Sequence, residues 1–256
     1  MTTNLKLAVL SGRRMDQGKT SFVDNVIATR LDNLIRIEIE SASTGSAKEG
    51  ITRIPATQLP ELRDALLDLD DDQNLVVDVG GSEYGDFMRE ITQYRSTTAE
   101  FDRFVFVMRA GGIKQLDALE SIMELISMGA EPAKVSVLFN FAPYTVGLPN
   151  LRATLRAQFG GVFDAADKAG FHVCETPIMA ADAMYKTVFG SKKWNIDALA
   201  SGQDFRLQMK ELRKAGQPVP DALRALESAQ ENARSFGKPN LDAVWDEIMT
   251  ATRETA

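Results

Sequence analysis

The sequence predicts an α/β protein: a doubly wound, mostly parallel sheet followed by a helical C-terminal appendage. Three observations carry this. Short apolar runs recur along the first two thirds of the chain, at Leu5–Leu10, Leu34–Ile39, Leu75–Val79, Phe104–Met108 and Val135–Phe139, with a weaker one at Phe171–Glu175. They read as strands buried on both faces, the habit of parallel sheets. Segments of helical periodicity alternate with them. From about residue 197 this alternation stops, and residues 197–256 contain no convincing strand.

The helical segments follow in order. Ser21–Arg30 opens directly after Gly18-Lys19-Thr20. Leu59–Leu69 carries Pro60 near its first turn, a favoured place for proline. Tyr84–Tyr94, Lys114–Met128 and Asn150–Gly160 complete the layer. The tail reads as two or three helices, broken at Ala215-Gly216-Gln217-Pro218 and Phe236-Gly237-Lys238-Pro239. We therefore expect one nucleotide-type domain over 1–196 and a helical extension over 197–256. No internal repeat or low-complexity tract is seen. The acidic stretch Asp68–Asp72 reads as a solvated turn.

Composition narrows the function classes. The chain has 256 residues and a net charge of −7. A protein dominated by contacts to a nucleic-acid backbone is usually basic, so any such patch must be local. The single cysteine, Cys174, excludes an internal disulfide. With no signal-peptide layout at the start, a reducing cytoplasm is expected. No apolar run approaches the roughly 18 residues of a membrane span. With one histidine, His172, no metal site of soft ligands is expected, and His172 and Cys174 read as ordinary strand residues.

In doubly wound sheets, ligands bind at the carboxyl ends of the strands. The residues there are informative. After the first run comes SGRRMDQGKTSF, Ser11 to Phe22. Gly18-Lys19-Thr20, with Ser21, opens a helix, where backbone N–H groups and the helix dipole favour phosphate. Lys19 can reach β- and γ-phosphates and Thr20 can ligate Mg²⁺. The usual spacing would place a glycine where Arg13 stands, and Gly12 lies one residue too early. After the second run, Glu38 and Glu40 share a strand face, and Glu40 at the carboxyl end can position a water. Its plainer reading is a solvent-facing edge carboxylate. After the third, Val77-Asp78-Val79-Gly80-Gly81 is an apolar run with an aspartate, the pattern that holds Mg²⁺. Gly80 and Gly81 allow backbone to approach a γ-phosphate. Asn140 ends the fifth run and can read a base edge; Pro177, after the last run, can form the other side of a base pocket.

Taken together, these segments resemble the StbB-type plasmid stability proteins, a branch of the ParA/MinD group of deviant Walker A P-loop ATPases. The residues concerned are the loop ending GKT, IES after the second strand, VVDVGGS, and FDRFVFVMRAGGIKQLDALESIMELISMGAEPAKVSVLFN. The likeness is clearest over about residues 70–142, thins after Asn150, and is not carried into 197–256. It implies a bacterial cytoplasmic ATPase in plasmid maintenance, using ATP and Mg²⁺. It also implies a nucleotide-dependent homodimer and a plasmid-encoded DNA-binding partner. In the group a signature lysine just after the first loop glycine reaches across the dimer. Here two registers fit. Arg14 takes that place if the loop starts at Arg13, and Arg13 takes it if Gly12 is the first glycine of a longer loop. Met15, Asp16 and Gln17 are larger than usual there, and Asp16 adds negative charge, which puts hydrolysis more in question than binding. The group's catalytic aspartate is matched by Glu40. Lys19, Glu40, Asp78 and Arg14 are thus the candidate catalytic residues.

Two other functions fit the residues: a non-hydrolysing nucleotide-binding adaptor that recruits a partition or conjugation partner, and a small-molecule kinase or synthetase on the same fold. A weak, non-specific DNA contact is a further candidate at Lys192-Lys193-Trp194 with Arg206, Lys210, Arg213 and Lys214. The interleaved Asp204 and Glu211 favour a solvated helix face instead.

Overall fold

The computed structural model describes residues 4–13, 18–40, 50–55, 58–94, 96–109, 113–142, 151–180, 182–188 and 194–255. Seven strands run parallel in the order β3-β2-β4-β1-β5-β6-β7. They are β1 (Lys6–Leu10), β2 (Leu34–Glu40), β3 (Ile51–Pro55), β4 (Asn74–Val79), β5 (Arg103–Arg109), β6 (Val135–Asn140) and β7 (His172–Val173). The predicted doubly wound sheet is present, together with a helical C-terminal region. β3 was not among the expected strands. Its sequence, ITRIP, is a short edge strand with one fully buried residue, so it lacks the continuous apolar run of its neighbours.

Strand alternation builds two apolar layers. Ala8, Leu10, Val77, Val79, Phe104, Phe106 and Phe139 face one way. Over them lie α2 (Pro60–Leu67), α3 (Tyr84–Gln93), α5 (Ile113–Ser127) and α6 (Leu151–Ala169), with the short α4 (Ser96–Glu100) between α3 and β5. Leu7, Val9, Val76, Val105, Val107 and Leu138 face the other way. That face is covered by α1 (Lys19–Phe22) with its continuation Val23–Ile27, by α7 (Asp182–Val188), and by the C-terminal helices. These are α8 (Ile196–Ser201), α9 (Phe205–Lys214), α10 (Asp221–Asn232) and α11 (Lys238–Arg253). Asn195 and Asp204 cap α8 and α9 by accepting from the amides of Ala198 and Leu207 at 2.7 and 3.0 Å.

Two helix ends differ from the expectation. α6 runs on through Gly160-Gly161, with a kink at Phe159 (φ −127°), whose ring stacks on Phe139 at 4.1 Å. The chain also does not break at 236–239. A wide π turn, Ala233–Gly237, carries α10 into α11, and Pro239 falls in the first turn of α11, where its missing N–H costs little. Gly237 is required by packing: a Cβ there would lie 2.3 Å from Met184 Sδ on α7. The expected break at 215–218 is observed.

α11 is fastened to the sheet by polar anchors as well as apolar ones. Arg103, fully buried at the start of β5, donates to Thr252 Oγ1 at 2.8 Å, Ser136 Oγ at 2.7 Å, Thr255 Oγ1 at 3.1 Å and the Ala251 carbonyl. Burial pushes its pKa down. Glu247 accepts from the amides of Glu175 and Thr176 at 2.5 and 2.9 Å. Asn240 donates to the Pro177 carbonyl at 2.9 Å and accepts from the Met179 amide at 3.2 Å. Among the described residues, no helix is long and apolar enough to cross a membrane.

Candidate functional site

β1 lies between β4 and β5, where the strand order reverses, so a crevice is expected at its carboxyl end. The chain leaves β1 through Ser11 and Gly12 and re-enters helix at Gly18. Both glycines have left-handed backbones, φ 72° and 83°. At Gly18 the requirement is twofold, because a Cβ would also sit 2.1 Å from Asn140 Nδ2 and 3.1 Å from Phe141 Cε2. Any side chain at 18 would be driven into the end of β6. The Gly18 carbonyl accepts from the Phe22 amide at 3.0 Å, which starts the helix.

Lys19 is buried and donates to Ser11 Oγ at 2.9 Å. Thr20 donates to Asp78 Oδ2 at 3.1 Å. β1 and β4 are adjacent, with Val9 opposite Asp78, so the register delivers Asp78 to the foot of the loop. Asp78 is buried, and its pKa is pushed up to about 6. Burial is the largest cause, and the Glu38 carboxylate adds to it. The Lys19 charge, the Thr20 hydroxyl and Arg36 oppose it. A hydroxyl and a carboxylate so placed form a hard oxygen pair suited to Mg²⁺. Ser21 follows in α1, and its carbonyl accepts from the Asn25 side-chain Nδ2 at 2.9 Å.

The second strand contributes more than its end. Glu38 lies opposite Asp78 on one side and Arg53 on the other. Arg53 Nε is 3.4 Å from Glu38 Oε2, and Nη2 is 3.8 Å from Glu40 Oε2. One arginine on β3 therefore pairs with both carboxylates of that face. Glu38 is buried, whereas the Glu40 side chain is 40% exposed. After β4, the Gly80 amide donates to the Ile39 carbonyl at 3.0 Å, and Gly80 and Gly81 lead into a turn closed by Glu83. Glu83 is buried and accepts from Ser82 Oγ at 2.9 Å. A Cβ on Gly80 would meet Glu83 Oε2 at 2.0 Å and the Ile39 carbonyl at 3.0 Å.

Across the crevice, Asn140 ends β6 and its Oδ1 accepts from the Phe141 amide at 2.8 Å. Phe141 has a left-handed backbone (φ 56°) and is part-exposed, with the Arg109 guanidinium 4.9 Å from its ring centre. Pro177 lies on the loop after β7, which Asn240 of α11 holds. Arg13 is turned onto α5: its Nη2 donates to Glu124 Oε1 and Oε2 at 3.2 and 3.0 Å. Arg14 and Met15 to Gln17 lie outside the described residues, as do Lys192 and Lys193. Arg206, Lys210, Arg213 and Lys214 lie on the exposed side of α9.

The structure thus brings Gly18, Lys19, Thr20, Asp78 and Asn140 together. Ser11, Arg53 and Glu83 were missed by sequence reasoning, and Glu38 was noted only as sharing the strand face of Glu40. Ser11 had a signal, a hydroxyl at a strand end before the loop. Arg53 had none, because its strand was not recognised.

No protein-family model matches the chain, and no curated protein matches it in sequence. Among solved structures, the chain is similar to the MinD cell division protein of Aquifex aeolicus, at 12% identity over 98% of both chains and with a TM-score of 0.52. The fold is MinD-like. The MinC:MinD cell division protein complex of the same organism is also similar, at 14% identity over 84% of this chain and 98% of that one, TM-score 0.44. At such identities the likeness to MinD is one of fold.

Proposed function

We propose that this chain is a nucleotide-binding ATPase of the ParA/MinD kind that acts as an ATP-dependent dimer switch in plasmid stability or partition. The observation that carries the reading is the meeting of Lys19, Thr20 and Asp78 at the ends of two adjacent strands, beneath a glycine that cannot carry a side chain.

The residues fit the groups they would hold. Gly18 to Ser21 present backbone N–H groups and the Lys19 ammonium to phosphate. Thr20 and Asp78 would hold Mg²⁺, which when bound offsets charge on the phosphate oxygens. Ser11 keeps the Lys19 ammonium at the loop. Glu40 orients the attacking water, and its pairing with Arg53 holds it in place. Gly80 and Gly81 form the segment that responds to a γ-phosphate. Asn140 and Pro177 flank the base, and Arg13 or Arg14 reaches the partner's phosphates. Such chemistry is mostly positioning and charge stabilisation, so turnover is slow until dimerisation completes the site. The expected setting is the bacterial cytoplasm, with a homodimer, a plasmid-encoded DNA-binding partner and at most weak DNA contact through α9.

Equilibrium binding of Mg-ATP to the purified chain, with sedimentation to report mass, tests this. The wild type should bind and double in mass, and Lys19→Ala should lose binding by more than about 100-fold, the scale of a lost charge-assisted contact set. ATP turnover should disappear in Asp78→Ala. No binding at about 1 mM nucleotide would sink the proposal.

A further inference from the structure

The chain's one histidine and one cysteine lie two residues apart at β7, on the face that α11 covers. Cys174 is fully buried, its amide donating to the Val137 carbonyl at 2.8 Å. α11 brings a third group to them. Glu247 Oε1 is 3.6 Å from His172 Nε2, and one donor atom each of His172, Cys174 and Glu247 all lie within 4.8 Å of one another. His172 Nε2 is shielded from water and makes no hydrogen bond, the 3.6 Å separation being too long for one. An imidazole nitrogen, a thiol and a carboxylate therefore converge, with the nitrogen unsatisfied.

We infer that His172, Cys174 and Glu247 form a binding site for a borderline-soft divalent cation of the Zn²⁺ class. The site is separate from the all-oxygen pair Thr20 and Asp78, whose chemistry suits a hard cation. In a tetrahedral zinc site, bonds of about 2.0–2.3 Å put ligand atoms roughly 3.3–3.8 Å apart. The widest separation here, up to 4.8 Å, must close by about 1 Å on binding. Charges balance on binding: Cys174 releases one proton to solvent, and the thiolate and the Glu247 carboxylate neutralise the dication. Burial, and then the Glu247 carboxylate, push the Cys174 thiol's pKa up, and the Arg103 guanidinium opposes them only in part, so the cation itself must draw off the proton. Glu247 is already oriented by the Glu175 and Thr176 amides, the outer-shell support that metal ligands commonly have. The His172 side chain as a whole is 34% accessible, although its Nε2 is not, so solvent lies one ring away from the three ligand atoms. The cation would clamp α11 to the edge of the sheet, next to the segment 175–179.

The full chain, stripped with chelator and dialysed, is titrated with Zn²⁺ alone, and separately with Co²⁺ while thiolate-to-metal charge-transfer absorption is followed. The wild type should bind one equivalent of Zn²⁺ and develop the cobalt band. Cys174→Ser should abolish the band and weaken Zn²⁺ by more than about 100-fold, beyond the loss seen for outer-shell changes. Because Cys174 is fully buried, His172→Gln, at a part-exposed position, is the second variant: a folded protein by circular dichroism whose Zn²⁺ affinity falls at least about tenfold. Asp78→Ala should retain the site, so the result stands apart from the nucleotide reading. No thiolate band in the wild type, or a Zn²⁺ affinity unchanged in His172→Gln, overturns the inference.

Discussion

Two buried charges sit on the same sheet and are treated in opposite ways. At the start of β5, Arg103 is enclosed by two threonines, a serine and a backbone carbonyl, so its donors are matched. At the end of β4, Asp78 is met by the Thr20 hydroxyl and the nearby Lys19 charge, yet its pKa still rises to about 6. The amino-end charge has its hydrogen bonds supplied by the fold itself, although burial lowers its pKa. The carboxyl-end charge is left costly, which is what a site needing a counter-ion requires. On the proposed function, stability and function are thus separated along a single strand direction.

The largest expected effect tests the satisfied charge. Arg103→Met leaves buried acceptors without donors and should cost about 3–5 kcal/mol. A fall in melting temperature of roughly 10 °C for a chain of this size is the readout. A loss below about 1 kcal/mol would mean that the apolar contacts of α11 carry the anchoring alone.

Asp78 should behave in the opposite sense. Its folded carboxyl keeps its proton up to about pH 6, whereas an ordinary aspartate releases it near 3.8. Between these values the folded state binds more protons, so stability falls as pH rises through the window. Above it the cost is fully present, at most about 3 kcal/mol. Asp78→Asn should therefore stabilise the nucleotide-free protein by about 1–3 kcal/mol near pH 8, and the gain should vanish by about pH 4. Urea melts at the two pH values check it. The same variant should lose Mg-ATP turnover, so a gain in stability would accompany a loss of function.

The difference between the two ends also explains what was legible in the sequence. β1, β4, β5 and β6 were visible because strands buried on both faces are continuous apolar runs. Gly18-Lys19-Thr20 and Asp78 were visible because each is a local pattern at a strand end. β3 was invisible because an edge strand needs only one buried residue, and Arg53 was hidden with it. Ser11 and Glu38 acquire meaning only from the register that sets β1 and β2 against β4. The run of helix through 236–239 was hidden because glycine and proline there answer to Met184 and to the first turn of α11. Glu247 beside His172 is a meeting of distant segments that spacing along the chain does not encode.

Smaller effects sharpen the loop itself. Gly18→Ala imposes a left-handed backbone on a residue with a Cβ and drives that atom against Asn140. It should cost about 1–2 kcal/mol in stability, with nucleotide affinity falling in step. Gly12→Ala has more room to relax, since its nearest neighbour is the Ser121 hydroxyl at 2.8 Å. An affinity unchanged in Gly18→Ala would remove the β6 end from the site.

The smallest effect on stability is expected at Arg13. Its side chain is 62% exposed and paired with the two oxygens of Glu124. A surface pair of this kind contributes under about 1 kcal/mol, so Arg13→Ala should barely move the melting curve. The same weakness makes the pair informative. If Arg13 must leave Glu124 to reach a second subunit, Glu124→Gln frees it and should tighten the ATP-dependent dimer. If Arg14 fills that role, sedimentation with Mg-ATP will find both Arg13→Ala and Glu124→Gln within about twofold of wild type, a difference of under 1 kcal/mol. We expect the second outcome, because Arg13 is directed onto its own α5 by a carboxylate that accepts it with both oxygens. A tenfold weaker dimer in Arg13→Ala would move the trans role to Arg13 and make Gly12 the first glycine of a longer loop.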